Sequence, residues 1–247
     1  MASFKIEIAG QVIAVTSLFE STRDYCRHYL SDKEADFEVS TCPEDLAFEQ
    51  KMADDEAKVE GFKRRKFPDP YLERTAIQRK IAEELFDSDV LVFHGSTIAV
   101  DGLGYLFTAK SGTGKSTHTR FWRETFGERA VMVNDDKPFL KIADSQVLAC
   151  GAPWSGKHGL DTNVTVPLQG ICILERGSEN VIRKATPKEL VFMLLQQSNR
   201  PLNPAKMPKY LSLVDRLSQT VPLWHMSCNL DPQAALVAWE GMSGAAK

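Results

Sequence analysis

In "LFTAKSGTGKSTHTRFW", residues 106 to 122, a lysine and a hydroxyl side chain follow closely spaced glycines: Gly112, Gly114, Lys115 and Ser116, with Thr117 beside them. That combination suits phosphate chemistry. Glycines admit φ > 0 and carry no side chain, so backbone N–H groups can converge on phosphate oxygens. The lysine reaches the outer phosphates and the hydroxyl ligates Mg²⁺. The pattern G-x-x-x-x-G-K-[ST] fits at Gly114, Lys115 and Ser116, but Ala109 stands where its first glycine belongs. That position is the strand exit, farther from the phosphates, and alanine can hold it if φ stays negative. The expected nucleotide cradle is Ser111, Gly112, Thr113, Gly114, Lys115, Ser116 and Thr117; the bland alternative is a chance glycine-rich turn.

Further along, "VMVNDDKP" sets Asp135 and Asp136 at the end of an apolar run. Adjacent carboxylates beside a phosphate loop permit a division of labour, one ordering Mg²⁺ and the other accepting a proton from an attacking hydroxyl. Read alone, the same residues are also an ordinary acidic turn. A second glycine loop, "GAPWSGKHG", carries Trp154, Ser155, Gly156 and Lys157. Ser-Gly-Lys can cradle an anion, with Lys157 contacting the acceptor or the γ-phosphate, and a tryptophan in a mobile loop can exclude water. Its competing reading is a structural turn with Trp154 buried. Arg200 is a further candidate cation, equally explained by the dipole of the helix it follows. His118 and Arg120 lie just past the loop, where a nucleotide contact has no strong case.

The stretch "FHGSTIAVDGLGYLFTAKSGTGKST" with "VNDD" after it resembles the catalytic domain of the HPr kinase/phosphorylase family. That family has a histidine-glycine pair before its loop and an Asp-Asp pair after the following helix. The ATP-dependent phosphoenolpyruvate carboxykinases share the nucleotide-binding core. The resemblance covers about residues 90 to 140, and "LQGICILE" fits the next core strand. It implies an α/β P-loop kinase core, ATP and Mg²⁺ as cofactors, and His94 near the transferred phosphate. Lys115 and Ser116 would hold triphosphate and metal, Asp135 would act as base and Asp136 would complete the metal site, with the two aspartates exchangeable in role. Alone, His94 reads as a histidine hydrogen-bonded near the core. The family's HPr-binding stretch has no copy here; "CGAPWSGKHGLDTN" stands in its place. The usual N-terminal domain is also replaced by a short lobe, so the chain looks like a compact branch of the group.

The elements that must position these residues follow from local pattern. Phe4, Ile6 and Ile8 alternate, Gly10 turns, and Val12 to Val15 return as a hairpin. Phe37 to Ser40 reads as a strand, and Ile77, Ile81 and Leu85 give a helix from about Pro70 to Phe86. "VLVFHG" is a short buried strand, and Asp101-Gly102 joins two more. After the loop come a helix to about Phe126, the strands "AVMVN", "FLKIA", "VLACG" and "GICILE", and mostly helical sequence broken by the strand "LWHMS". Thr186 and Glu189 make a capping box for "TPKELVFMLLQQ". Strands joined so often by short turns predict a mixed sheet with flanking helices. The expected division is a small N-terminal α+β lobe over 1–87, packed on a nucleotide-binding core over 88–247.

Composition narrows the class. The 247 residues are 43% hydrophobic and 26% charged with a formal net charge of -3, which argues against nucleic acid as a partner. Five cysteines in an odd number, with no C-x-x-C spacing, point to neither a disulfide framework nor zinc. With no apolar run long enough to span a bilayer and no signal-like N-terminus, the chain reads as cytoplasmic. The sequence therefore predicts an ATP- and Mg²⁺-dependent kinase acting on a hydroxyl of a small metabolite or a peptide or protein serine; a homo-oligomer stays open. The alternatives are a nucleotide-sensing binding protein, which would need neither His94 nor paired aspartates, and a carboxykinase-like phosphotransferase, for which no second ligand set is found.

Overall fold

The computed structural model describes residues 1–110 and 112–244. The chain divides into two compact units, Met1–Glu84 and Leu85–Lys247. The first opens with β1 (Ala2–Ile8) and β2 (Gln11–Ser17), an antiparallel hairpin turned at Ala9 and Gly10. After α1 (Glu20–Tyr25), β3 (Phe37–Ser40) adds parallel to β2, and α2 (Pro43–Glu60) and α3 (Asp69–Leu85) complete the unit. Buried Glu73 of α3 ties the pieces together: its carboxylate accepts from the backbone N–H groups of Leu18 and Phe19 and from the hydroxyls of Thr22 and Thr41.

In the second unit come β4 (Val90–Val92), β5 (Ser96–Val100), β6 (Leu103–Thr108), α4 (Lys115–Phe126) and β7 (Ala130–Asn134). They are followed by β8 (Phe139–Ile142), β9 (Val147–Cys150), β10 (Thr165–Arg176), β11 (Val181–Lys184), α5 (Pro187–Gln197), α6 (Met207–Thr220), β12 (Leu223–Cys228) and α7 (Gln233–Ser243). The sheet is mixed, in the order β4-β8-β9-β10-β6-β5-β7, with β12 also on β10 and β11 on β12. β6, β10 and β12 are mutually parallel, and every other pair in this sheet is antiparallel.

β10 organises that sheet by changing partners along its length. Thr165–Pro167 pair with β9, and the strand runs with β6 from Leu168 on and with β12 from Ile171 on. Local pattern finds only its apolar half, because Pro167 and Gln169 interrupt the run. β11 is likewise missed; its solvated sequence carries little apolar signal.

Alternation along the strands builds a core on each face of the sheet. On β6, Leu106 packs with Leu91, Phe93, Ile171 and the buried face of α6. Tyr105 and Phe107 face the other way, toward Trp122 of α4 and the alanines of α7. The Trp122 ring lies 4.8 Å from Tyr105 and 5.2 Å from Phe107, centroid to centroid. This fully buried ring sets the seat of α4 and so of the loop before it. Trp122→Ala is expected to cost about 3–5 kcal/mol of stability, measurable as a lowered urea midpoint.

Candidate active site

The glycine-rich loop joins the end of β6 to the start of α4. Ala109 keeps a negative φ and is buried, which is why alanine serves at the first pattern position. Gly112 and Gly114 have φ of 77° and 123°. A Cβ at Gly112 would meet nothing within 4 Å, so that glycine is required by conformation rather than by space. Gly114 caps α4 with no side-chain hydrogen bond, leaving first-turn N–H groups available to an anion. Ser111 lies outside the described residues.

Two cations brace the loop from within. Lys115 Nζ donates to the Ala109 carbonyl at 3.3 Å. Arg176, the last residue of β10, donates from Nη2 to the Gly112 carbonyl at 2.5 Å and from Nε to that of Thr113 at 3.3 Å. Carbonyls engaged by an internal cation cannot turn toward an incoming phosphate. Arg176 carries no motif signal, and only the parallel pairing of β10 with β6 brings it here. Ser116 and Thr117 sit half-buried on the first turn of α4.

The aspartates arrive at the end of β7, held by Asn134. That fully buried side chain donates to the carbonyls of Ala152 (2.7 Å) and Trp154 (3.3 Å). Its Oδ1 accepts from the N–H groups of Asp136 (2.9 Å) and Lys137 (2.6 Å), a local turn of the kind asparagine favours. Asp135 is buried, and its Oδ1 accepts from Ser96 Oγ at 2.6 Å. Ser96 Oγ lies 2.9 Å from Thr119 Oγ1, whose own hydroxyl reaches back to the Lys115 and Ser116 carbonyls of α4. Asp135 is thus tied to the helix that starts at the loop.

Asp136 is more open, with a side chain 35% exposed, and its Oδ1 stands 3.5 Å from His94 Nε2. His94 leaves β4 with its backbone N–H donating to the Gln197 carbonyl, while Gly95 N–H donates to that of Asp136. Burial raises the Asp136 pKa, against the opposing pull of Lys137 and Lys115 and with a smaller push from Asp135. Burial also lowers Lys115. His94 falls from 6.5 to about 3, through burial first and then the charges of Lys137 and Lys115, so it is neutral near pH 7. Lys115, Lys137, Asp135 and Asp136 therefore share one field around an uncharged imidazole. Lys137, read from sequence as part of a turn, joins the site because Asn134 folds it back.

The second loop meets this group at Gly156. A Cβ there would come 3.1 Å from Asp136 Cβ, and φ is 70°, so glycine is needed on both counts. Lys157 follows on the exposed side of the same turn. Trp154 and Ser155 do not fit the lid and anion-cradle expectation. Trp154 is buried with its ring 5.9 Å from Phe139, and buried Ser155 donates to Asp161 Oδ2 at 2.6 Å. Trp154 packs on Phe139 of β8 and Ser155 ties its turn to Asp161, so both side chains are used within the protein. Arg200 Nη2 donates to the Leu195 carbonyl at 3.3 Å, which is the helix-end role. His118 is buried and accepts from Trp122 Nε1 at 3.1 Å, while Arg120 faces solvent.

Among the described residues no group of three or more His, Cys, Asp and Glu forms a metal cage. Mg²⁺ in phosphoryl-transfer sites uses one or two carboxylates with substrate phosphates and water. The hydroxyl of Ser116 and the two aspartates fit that donor chemistry.

No protein-family model matches the chain, and no curated protein sequence does. Among solved structures, the chain is similar to the Hpr(Ser) kinase/phosphatase from Coxiella burnetii, at 15% identity over 52% of this chain and 97% of that one, with a TM-score of 0.30. The relationship is structural and distant, and the chemistry rests on this chain's own residues. Among the described residues no helix is long and apolar enough to cross a membrane.

His94 and His118 are both held neutral in the folded chain, each lowered from 6.5 to about 3 with burial as the first cause. Below the ordinary value the unfolded chain binds protons that the folded chain refuses. Stability from this source is complete above about pH 6.5 and falls as pH drops toward the folded values, by about 1.4 kcal/mol per pH unit for each histidine. Urea titrations across that window should show a shallower acid dependence for His118→Gln than for the parent chain.

Proposed function

We propose that the chain transfers the γ-phosphate of ATP to a hydroxyl acceptor. The observation that carries this reading is the convergence of both aspartates and His94 on the lysine of the glycine loop, a grouping that simple nucleotide binding does not need. The α4 N-terminus, the loop amides and Lys115 receive the triphosphate. Ser116 and Asp135 would hold Mg²⁺, which when bound neutralises charge on the β- and γ-phosphates.

Asp136 is the better base. Asp135 is buried with its Oδ1 engaged by Ser96, which leaves Oδ2 for a metal, whereas Asp136 is half-buried, has a raised pKa and adjoins the second loop. A base with a raised pKa takes a hydroxyl proton more readily. Its carboxylate accepts the acceptor's proton while the acceptor oxygen bonds to the γ-phosphorus. The bond from that phosphorus to the bridging oxygen breaks, and ADP leaves. Neutral His94 adds no positive charge that would lower Asp136, and exposed Lys157, next to Gly156, would meet the acceptor, a small metabolite or a peptide or protein serine.

The test is transfer from γ-labelled ATP with Mg²⁺ to pools of hydroxylated metabolites, free serine and serine-bearing peptides. Asp136→Asn should lower turnover by about 10²–10⁴-fold with ATP still bound, Lys115→Ala should weaken ATP binding, and Lys157→Ala should raise the KM for the acceptor. The acidic limb of kcat/KM should lie above that of an ordinary aspartate, in line with the raised Asp136. Binding of ATP with its γ-phosphate left intact in every pool would favour a nucleotide sensor instead.

A further inference from the structure

Beside the loop, the second unit holds a cavity of about 580 Å³ whose lining includes Gly112, Thr113 and Gly114. Topology explains its position. β6, β10 and β12 are parallel, so their carboxyl ends share one rim: β6 leads into the loop, β10 ends at Arg176 and β12 at Cys228. Ligands of α/β sheets seat outside the carboxyl ends of parallel strands. The volume falls within the range of about 300–1,000 Å³ usual for small-molecule sites. A second cavity, whose lining includes Ala109 and Lys110, holds about 200 Å³.

The walls differ in chemistry. Arg176 gives a charged edge beside the loop, while Phe121 of α4 and Leu230 give an apolar one. Leu230 is 81% exposed, yet its surroundings are fixed. The backbone N–H of Asn229 donates to Asn180 Oδ1 and its Nδ2 to the Ser178 carbonyl, each at 3.0 Å, and its Oδ1 accepts from Asp231 N–H at 2.9 Å. A leucine held in this way at a cavity mouth offers apolar surface to a flat ring. His118 completes the wall. Because Trp122 Nε1–H donates to His118 Nε2, the neutral imidazole carries its proton on Nδ1 and has one N–H that Trp122 does not engage.

We propose that this cavity receives the nucleobase of the bound nucleotide, with Leu230 and Phe121 covering the ring and His118 Nδ1–H donating to a ring acceptor atom. The proposal rests on the reading of the loop as a triphosphate site. The cavity begins at the loop residues, so base and phosphates occupy neighbouring halves of one groove.

Calorimetric titration with ATP and with inorganic tripolyphosphate, both with Mg²⁺, separates the two halves. The parent chain should bind ATP at least about tenfold tighter than tripolyphosphate. Leu230→Ser, at an exposed position that leaves folding intact, should weaken ATP about three- to tenfold and leave tripolyphosphate unchanged. Cys228→Phe, which puts a ring into the cavity from its wall, should abolish the preference for ATP. Equal binding of the two ligands, with both lost in Lys115→Ala, would overturn the nucleobase pocket and leave the loop assignment standing. No binding of either ligand by the parent chain would overturn the loop assignment, and the pocket with it. An unchanged ATP affinity in Leu230→Ser would likewise overturn the pocket as drawn.

Discussion

The candidate site depends on the buried amide of Asn134. Its four hydrogen bonds join the end of β7, the Asp135-Asp136-Lys137 turn and the loop that carries Gly156 and Lys157. A fully buried amide is costly unless its donors and acceptor are satisfied, and here both ends are. The geometry is correspondingly stiff. Turning the amide would orphan two carbonyls and two N–H groups together, so the aspartates and the second loop hold a common position.

Burial does the rest of the electrostatic work. It raises Asp136 and lowers Lys115 and His94, each by removing water from the charged form. The neighbouring charges act against burial on Asp136, since Lys137 and Lys115 favour its ionised form. The result is a carboxylate shifted toward useful basicity beside an uncharged histidine. The phosphoryl transfer proposed for this site asks chiefly for such positioned charge, with little covalent participation by the protein.

A long strand and a helix connect these parts. β10 joins an antiparallel group to a parallel one, and its last residue reaches back to brace the glycine loop. α4, seated by Trp122 between Tyr105 and Phe107, presents its first turn to the loop and its buried Thr119 to Ser96. The same tryptophan fixes the tautomer of His118. Packing of one aromatic ring thus bears on both the glycine loop and the wall of the cavity beside it.

Motif spacing and alternation made much of this legible in the chain itself. The loop glycines, the hairpin at Asp101-Gly102, the strand "AVMVN" and the capping box of Thr186 and Glu189 are all local, set by φ preferences and by side chains within a few residues. The α/β class with a mixed sheet follows from those same short turns. What only the tertiary structure decided is which distant residues share a site. Arg176, Ser96 and Thr119 carry no motif because their contacts arise from strand register and helix seating. Trp154 was open between lid and core until packing against Phe139 buried it. The unequal environments of Asp135 and Asp136 are invisible to a sequence in which they are adjacent and identical. Local conformation is encoded by neighbours along the chain, whereas burial, which sets the charge and reach of each side chain, comes from segments that meet only after folding.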